Sequence, residues 1–168
     1  ANYVTPTALA RAARELGEAV GLAVQVLGAD DMSALGMGAL LGVARGSSEP
    51  PTFTILEHNA NRRDLPAYVI VGKGITFDSG GISIKPSEGM EQMKDDMSGA
   101  AATLGVLRAV AQLGLPLRVV GLVPATENLP GGRAYKPGDV LTAMSGRTIE
   151  VVSTDAEGRL ILADALAY

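Results

Sequence analysis

Apolar residues recur at intervals of three and four near the start of the chain, from Leu9 to Val20. This is the spacing of one face of an α-helix. Thr5 can cap such a helix, and Pro6 suits its first position. Gly21 is of the residue type that commonly ends a helix. The pattern therefore predicts an opening helix with one apolar face.

Short apolar runs between polar or turn-forming residues predict the strands. The predicted strands are Val24–Leu27, Thr52–Glu57, Ala67–Val71, Leu117–Val123 and Thr148–Ser153. The segment Ala67–Val71 is continuously apolar, which is typical of a strand buried on both faces of a sheet.

Three further helices are predicted between or after these strands. Asp30 can cap a short helix that ends near Leu35, a long helix is expected from about Met90 to Leu113, and a last one begins at about Gly158. Loops are predicted at Ser47–Pro51, Asn59–Pro66 and Pro124–Asp139. Because strands alternate with helices, the sequence predicts an α/β fold with a mixed, mostly parallel sheet flanked by helices.

No internal repeat and no linker divides the 168 residues, which are enough for one α/β domain with a core. The helical pattern is still complete where the chain stops at Tyr168, and the chain begins equally abruptly. We therefore expect a piece of a larger protein with a truncated domain.

Composition narrows the classes of function. Lys and Arg number 14 against 18 Asp and Glu, giving a net charge of −4 without a basic stripe, which argues against nucleic acid as a partner. No apolar run is long enough to span a membrane. The absence of cysteine excludes disulfides and thiol catalysis and fits the cytoplasm. The single histidine, His58, excludes a histidine-based triad, so any metal must be held mainly by carboxylates.

Residues that could act in catalysis or metal binding are concentrated in two stretches. The later of the two along the chain, STDAEGRL, runs from Ser153 to Leu160. Residues two apart in an extended segment point to the same side, so Asp155 and Glu157 can share one cation at the end of a strand. Arg159 either pairs with these acids or is a fixed cation for an anion. On this stretch alone, a solvated turn with an ion pair is the favoured alternative.

The first stretch runs from Val71 to Met97 and contains Lys73, Asp78 and Lys85. A lysine at the end of a strand is usually a surface residue, but glycines on both sides of Lys73 indicate a close approach to the backbone. The glycine spacing does not match a phosphate-binding loop, so we discount a nucleotide site.

Asp95 and Asp96 fall in the first turns of the predicted long helix, where negative charge is favourable without any function. Neighbouring residues on a helix diverge by about 100°, so only one of the two is expected to face a site. Taken together, the stretches bring one lysine and four carboxylates to one edge of the sheet: Lys73, Asp78, Asp96, Asp155 and Glu157. Two divalent cations would neutralise such a cluster and form a hydrolytic site.

The motifs VGKGITFDSGGISIKP and TDAEGRL resemble those of the M17 leucyl aminopeptidase family, the cytosol aminopeptidase type. The resemblance covers essentially the whole chain. Supporting matches in family order are Met97 with Gly99 and Ala100, Glu127-Asn128, and Pro137-Gly138-Asp139-Val140. The resemblance implies a dinuclear metal-dependent aminopeptidase that releases N-terminal amino acids, leucine preferred, from peptides.

The resemblance also assigns residues to roles. It implies two divalent metal ions per subunit, manganese or zinc with magnesium as an alternative. The more exchangeable metal would be held by Lys73, Asp78, Asp96 and Glu157, and the other by Asp78, Asp155 and Glu157. The implied catalytic residues are Lys85 and Arg159, and the implied substrate-binding residues are Lys73, Asp78, Lys85, Met93 and Asp96. Asp95 matches no site residue of the family.

The implied chemistry requires Lys73 to bind metal as the neutral amine, while Lys85 stays cationic and polarises the scissile carbonyl. A bicarbonate held by Arg159 would be the general base. The substrates would be peptides with a free N-terminus, and the parent protein would be a cytoplasmic homohexamer that contacts no membrane.

The chain departs from the family pattern in two respects. Ser153 replaces the usual asparagine before TDAEGRL, which is expected to weaken support for the site. The family's N-terminal domain and the remainder of the catalytic domain after Tyr168 are absent, so residues 1–168 are expected to be a partial catalytic domain. Two alternatives are an inactive isolated fragment and a DNA-binding regulatory or recombination role of the parent protein.

Overall fold

A mixed sheet of five strands carries the fold in the computed structural model, which describes residues 1–168. The strands are β1 (Ala23–Leu27), β2 (Thr52–His58), β3 (Ala67–Val71), β4 (Gly74–Asp78) and β5 (Arg118–Asn128). β5 is the longest, and it pairs with β2 on one side and with β3 and β4 on the other. β3 and β4 both run parallel to β5, and Asp78 at the end of β4 is the register partner of Asn128 at the end of β5.

Five helices and a hairpin complete the fold. The helices are α1 (Pro6–Val20), α2 (Ala29–Ala34), α3 (Gly38–Ala44), α4 (Ser98–Gln112) and α5 (Glu157–Ala167). The hairpin pairs β6 (Val140–Thr142) with β7 (Thr148–Glu150), and two 3-10 helices span Met90–Asp95 and Thr154–Ala156. None of the helices has the length and apolar character needed to cross a membrane.

The sheet separates two apolar clusters. Alternate residues of β5 point to opposite faces, so Val119 and Val123 belong to one cluster and Leu122 to the other. The first cluster includes residues of α1 and α4, among them Leu9, Leu107 and Val110. The second includes residues of α3 and α5, among them Leu40, Val43 and Ile161. Helices therefore cover both faces of the sheet, and the mixed α/β class is confirmed.

The opening helix is confirmed in detail. Ala8 N donates to Thr5 Oγ1 at 3.2 Å, and Gly21 ends the helix with a φ of 75°. This left-handed conformation is open to glycine without a steric cost. Local signals alone were sufficient here, because the cap, the proline and the terminal glycine are all adjacent to the helix.

The parallel part of the sheet is smaller than predicted. β1 and β2 are antiparallel, as are β2 and β5, so only two of the four strand pairs are parallel. The reason is that alternation of strands and helices along a sequence does not fix strand direction. The segment with α2 and α3 joins an antiparallel pair.

The prediction that Ala67–Val71 is buried on both faces is wrong. This segment is β3, whose only pairing partner is β5, and Tyr68 and Val69 are 54% and 59% exposed. An apolar run indicates a strand, but it does not report how many neighbours cover that strand.

The predicted long helix is two helices. The 3-10 helix Met90–Asp95 is followed by a break, and α4 begins at Ser98. Ala100 N donates to the carbonyl of Lys73 at 2.9 Å, which ties the start of α4 to the loop after β3. An amide that the start of a helix leaves without an intrahelical acceptor thus finds its partner in a distant segment.

Two boundaries after α4 also differ from prediction. β5 continues through Pro124 to Asn128, although the proline indicated a loop. The predicted strand Thr148–Ser153 is reduced to β7, which pairs with β6 instead of the main sheet. β4 and β6 were not predicted, because β4 starts at Gly74 within the glycine-rich stretch and β6 has only three residues.

Candidate metal centre

Asp78 is the last residue of β4, and its side chain is held in one orientation. The residue is 3% exposed. Its Oδ1 accepts hydrogen bonds from Gly80 N at 2.9 Å and from Asn128 Nδ2 at 2.8 Å, whereas its Oδ2 lies 3.0 Å from Lys85 Nζ. The carboxyl ends of parallel strands are where such sheets bind ligands, so Asp78 lies at the predicted edge.

Lys73 follows β3 and pairs with two acids. Its Nζ lies 2.7 Å from Asp96 Oδ2 and 2.7 Å from Glu157 Oε1. The adjacent Gly72 contacts α4, since a Cβ there would lie 2.3 Å from the carbonyl oxygen of Gly99. The close approach indicated by this glycine is therefore the packing of α4 against the loop.

Asp155 and Glu157 reach the same place, but the extended geometry predicted for them is wrong. Asp155 lies in the 3-10 helix Thr154–Ala156, and Glu157 is the first residue of α5. One carboxylate oxygen from each of Asp78, Asp155 and Glu157 lies within 4.8 Å of the other two. Packing of α5 against the sheet brings these acids together.

Lys85 completes the cluster from the loop after β4. Its Nζ lies 3.0 Å from Asp78 Oδ2 and 2.5 Å from Asp155 Oδ1. Each of the two lysines thus bridges two carboxylates, and the four carboxylates exceed the two ammonium groups by two negative charges. Clustered oxygen donors with excess negative charge fit a divalent cation.

The surroundings shift the pKa values of these groups. Burial raises the pKa of Asp96, and the charge and hydrogen bond of Lys73 oppose that rise without cancelling it. Burial lowers the pKa of each lysine, but hydrogen bonds and charges of the adjoining carboxylates outweigh it, so the pKa of Lys73 and the pKa of Lys85 are both raised. With these partners both lysines are ammonium ions.

Asn128 belongs to the Glu127-Asn128 pair that matches the family pattern, but the sequence indicates no role for it. It is 0% exposed. Its Nδ2 lies within hydrogen-bonding distance of Asp78 Oδ1, the carbonyl of Thr154 at 2.9 Å and Glu157 Oε2 at 3.4 Å. The only sequence signal for it was the Glu127-Asn128 match, because its partners are distant in the chain.

The segment that carries Asp155 is anchored by further residues that the sequence did not indicate. Tyr135 Oη donates to the carbonyl of Thr154 at 2.7 Å, and Thr154 Oγ1 donates to the carbonyl of Gly80 at 2.6 Å. Burial raises the pKa of Tyr135, and the charges of Glu157, Asp78 and Asp155 add to the rise. The phenol therefore remains a protonated donor.

Two residues predicted to act at the site, Met93 and Arg159, lie outside the cluster of ion pairs, as does Asp95. Asp95 is exposed, while its neighbour Asp96 pairs with Lys73, which agrees with the expectation that only one of the two faces the site. Met93 is half-buried in the 3-10 helix before Asp96. Arg159 is exposed and forms no ion pair with the acids.

Ser153 and Arg159 line a cavity of about 340 Å³ beside this segment. Ser153 Oγ accepts a hydrogen bond from Asp155 N at 3.2 Å and so caps the 3-10 helix. The serine thus supports the position of Asp155 through a short local contact.

Comparison with known proteins shows which family the chain belongs to. Residues 1–168 match the cytosol aminopeptidase family, catalytic domain. A probable cytosol aminopeptidase of Chlorobium limicola is 58% identical over 167 residues, which cover 99% of this chain and 33% of that protein. The chain therefore spans about a third of the length of the curated relatives it matches.

Two solved structures share the fold. The cytosol aminopeptidase from Coxiella burnetii superposes with a TM-score of 0.94 at 40% identity, over 99% of this chain and 36% of that one. The bottromycin maturation enzyme BotP in complex with Mn gives a TM-score of 0.92 at 46% identity, over 98% and 36%. Since the match to the family's catalytic domain extends over every residue, this chain belongs to the cytosol aminopeptidase family.

Proposed function

We propose that this chain carries the two-metal site of an aminopeptidase that releases N-terminal amino acids, leucine preferred, from peptides. The observation that carries the metal site is the convergence of oxygens from Asp78, Asp155 and Glu157 within 4.8 Å. Carboxylates favour Mn²⁺ or Mg²⁺, whereas the lysine nitrogen also tolerates Zn²⁺. The Mn-containing BotP structure supports manganese as the first ion to test.

The proposed ligands fall into two sets that share Asp78 and Glu157. The first set, for the more exchangeable ion, adds Lys73 and Asp96, which are already in contact at 2.7 Å. The second set adds Asp155, through its carboxylate and its backbone carbonyl. When bound, the two ions supply Lewis acidity and a nucleophile generated from water near neutral pH.

The two lysines have different proposed tasks. Lys73 can be a metal ligand only after it releases the proton that it now holds between Asp96 and Glu157. Lys85 remains an ammonium ion because Asp155 and Asp78 favour its charged form. It is therefore suited to polarise the scissile carbonyl and to stabilise the negative charge that develops there.

Substrate binding is assigned to the same edge of the sheet. A free α-amine would bind at the exchangeable ion, which explains a restriction to N-terminal residues. Met93 lies three residues before Asp96 and is half-buried, so it can contact the first side chain of a peptide. An apolar methionine agrees with a preference for leucine. The proposed substrate-binding residues are Lys73, Asp78, Lys85, Met93 and Asp96.

A bicarbonate near Arg159 is proposed as the proton acceptor. The only histidine is not available for this task, because His58 Nε2 is within 3.0 Å of the carbonyl of Leu115, in the loop before β5. Arg159 is exposed beside the segment that carries Asp155, and its charge suits a small anion.

The remaining parts of the proposal concern the whole protein. Residues 1–168 would be part of its catalytic domain, with a separate N-terminal domain and later catalytic-domain strands elsewhere. It would assemble as a homohexamer and act in the cytoplasm. These statements extend the family membership to the full-length protein.

The test is metal-dependent hydrolysis of leucine p-nitroanilide by the full-length protein. Chelation should abolish the activity, Mn²⁺ should restore it, and Asp78→Ala should remain inactive with metal added. A fully active Asp78→Ala protein, or activity that survives exhaustive chelation, would contradict the proposal. The same assay on residues 1–168 alone tests whether the isolated chain is active.

A further inference from the structure

We propose that Asn128 is a positioning residue that selects which oxygens of Asp78 and Glu157 face the metal ions. The inference deepens the proposed function and rests on it. Asn128 is completely buried at the end of β5, and its backbone carbonyl accepts hydrogen bonds from Ser79 N at 3.0 Å and Ser79 Oγ at 2.8 Å. The residue is thus fixed in the sheet before its side chain makes any contact.

The Asn128 amide reaches three acceptors on three segments. They are Asp78 Oδ1 at 2.8 Å, the Thr154 carbonyl at 2.9 Å and Glu157 Oε2 at 3.4 Å. All three are oxygens that only accept, so the amide nitrogen must point towards them. Because both carboxylates belong to the proposed shared ligands, one amide group joins the two residues that would bridge the ions.

These contacts divide each carboxylate into two unequal oxygens. Asp78 Oδ1 is tied to Asn128, whereas Asp78 Oδ2 faces the Lys85 ammonium. Glu157 Oε2 lies 3.4 Å from the Asn128 nitrogen, the longest of the three contacts, whereas Glu157 Oε1 faces the Lys73 ammonium at 2.7 Å. In both acids, the oxygen turned away from the asparagine is the one that meets a cation.

An asparagine meets these requirements better than a charged residue would. An aspartate would add negative charge beside two carboxylates, and a lysine would compete with the metal ions for them. The neutral amide orients the carboxylates without neutralising them. Its Oδ1 is buried without a hydrogen-bond partner beside Gly81, so the side chain forgoes one hydrogen bond while its nitrogen faces the acids.

Tyr135 supplies a matched control. Its hydroxyl donates to the same Thr154 carbonyl at 2.7 Å, but it makes no hydrogen bond to either carboxylate. Loss of an anchor on Thr154 is therefore common to variants at Tyr135 and Asn128, whereas loss of the contacts with Asp78 and Glu157 is specific to Asn128.

The experiment measures Mn²⁺ affinity by isothermal titration calorimetry on metal-depleted full-length protein, alongside its thermal unfolding. Asn128→Ala should weaken Mn²⁺ binding by about 10- to 100-fold, the range typical for residues that orient metal ligands. Asn128→Ser retains one hydroxyl donor and should show a smaller loss. Tyr135→Phe removes one anchor of the segment that carries Asp155 but neither carboxylate contact, so it should lose less Mn²⁺ affinity than Asn128→Ala, even where its thermal unfolding shifts as much as that of Asn128→Ser.

The possible results of this experiment distinguish a positioning role of Asn128 from a purely structural one. Wild-type affinity in the Asn128 variants, or an equal loss of affinity in Tyr135→Phe, would overturn the positioning role. If Asn128→Ala does not fold, Asn128→Ser carries the test, and failure of both to fold would show that Asn128 acts on the fold instead. A wild-type protein that binds no Mn²⁺ overturns the proposed function itself, which is a distinct result.

Discussion

Lys73 Nζ lies 2.7 Å from Glu157 Oε1, and this ion pair joins the loop after β3 to the first residue of α5. The next residue, Gly158, permits the contact, because a Cβ there would lie 2.9 Å from Cε and 3.0 Å from Nζ of Lys73. Gly158 is therefore needed because the Lys73 side chain passes over the start of α5 at this position.

Gly158→Ala should consequently weaken metal binding without lowering thermal stability. The added methyl meets the flexible end of a lysine, which can move, and alanine is favourable in a helix by up to about 1 kcal/mol. We expect thermal stability close to that of the wild type but weaker Mn²⁺ binding, because Lys73 is displaced. Gly105→Ala in α4 is the control, since a Cβ there meets nothing within 4 Å. Unchanged Mn²⁺ affinity in Gly158→Ala would refute the argument.

The neighbouring acids Asp95 and Asp96 provide a second comparison. Asp96 contacts Lys73, whereas Asp95 is exposed. Asp96→Ala should reduce Mn²⁺ affinity and peptidase activity by at least about 10-fold, because it removes a proposed ligand. Asp95→Ala, with the same change in charge one residue away, should leave both within error of the wild type. Equal effects in the two variants would indicate a general electrostatic role for this region.

Lys85 should affect turnover and metal binding in opposite directions. Lys85→Met removes a cation that lies 3.0 Å from Asp78 and 2.5 Å from Asp155. Without that competitor, Mn²⁺ should bind at least as tightly as in the wild type, while kcat falls by at least about 100-fold because the carbonyl is no longer polarised. The exposed Lys94 gives the control variant Lys94→Met. Loss of Mn²⁺ affinity in Lys85→Met would show that the ammonium supports the site instead.

Sequence reasoning was most successful where the signals are local. The helix from Pro6 to Val20 was predicted because its cap, its apolar spacing and its terminal glycine are contiguous. The edge position of β3 and the break before α4 were missed, because they depend on partners far away in the chain. The residues of the site were predicted more successfully than their backbone conformation. Asp78, Asp155 and Glu157 do meet as predicted, but the segment of Asp155 and Glu157 is a 3-10 helix followed by an α-helix and is not extended.

The residues that support the candidate ligands were harder to predict from the sequence than the ligands themselves. Asn128 lies 50 residues from Asp78 in the chain, and Tyr135 lies 19 residues from Thr154. A buried amide or phenol has no sequence pattern that distinguishes it from an ordinary core or loop residue. Only the fold shows which acceptors it reaches.

Asp164 is a buried carboxylate outside the candidate metal centre that the sequence did not single out. It is 0% exposed in α5, and it accepts hydrogen bonds from Leu40 N and Met144 N, both at 2.8 Å. Asp164→Ala should destabilise the protein by about 2–6 kcal/mol, because it leaves two amides without an acceptor and each such amide costs about 1–3 kcal/mol when buried. Urea unfolding measures the change. Glu88→Ala, in an exposed loop, should stay within about 0.5 kcal/mol of the wild type.

The same carboxylate should make stability depend on pH in an unusual direction. Burial raises the pKa of Asp164 in the folded protein, although the backbone donors of Leu40 and Met144 oppose the rise. The folded state therefore binds this proton more tightly than the unfolded state, whose pKa is about 3.9. The contribution of Asp164 to the free energy of unfolding should increase as pH falls through the folded pKa and level off below the unfolded pKa. Asp164→Asn cannot titrate, so the stability difference between wild type and this variant should shift in favour of the wild type from pH 7 to pH 4. A difference that is constant, or that shrinks on acidification, would show that the hydrogen bonds outweigh burial.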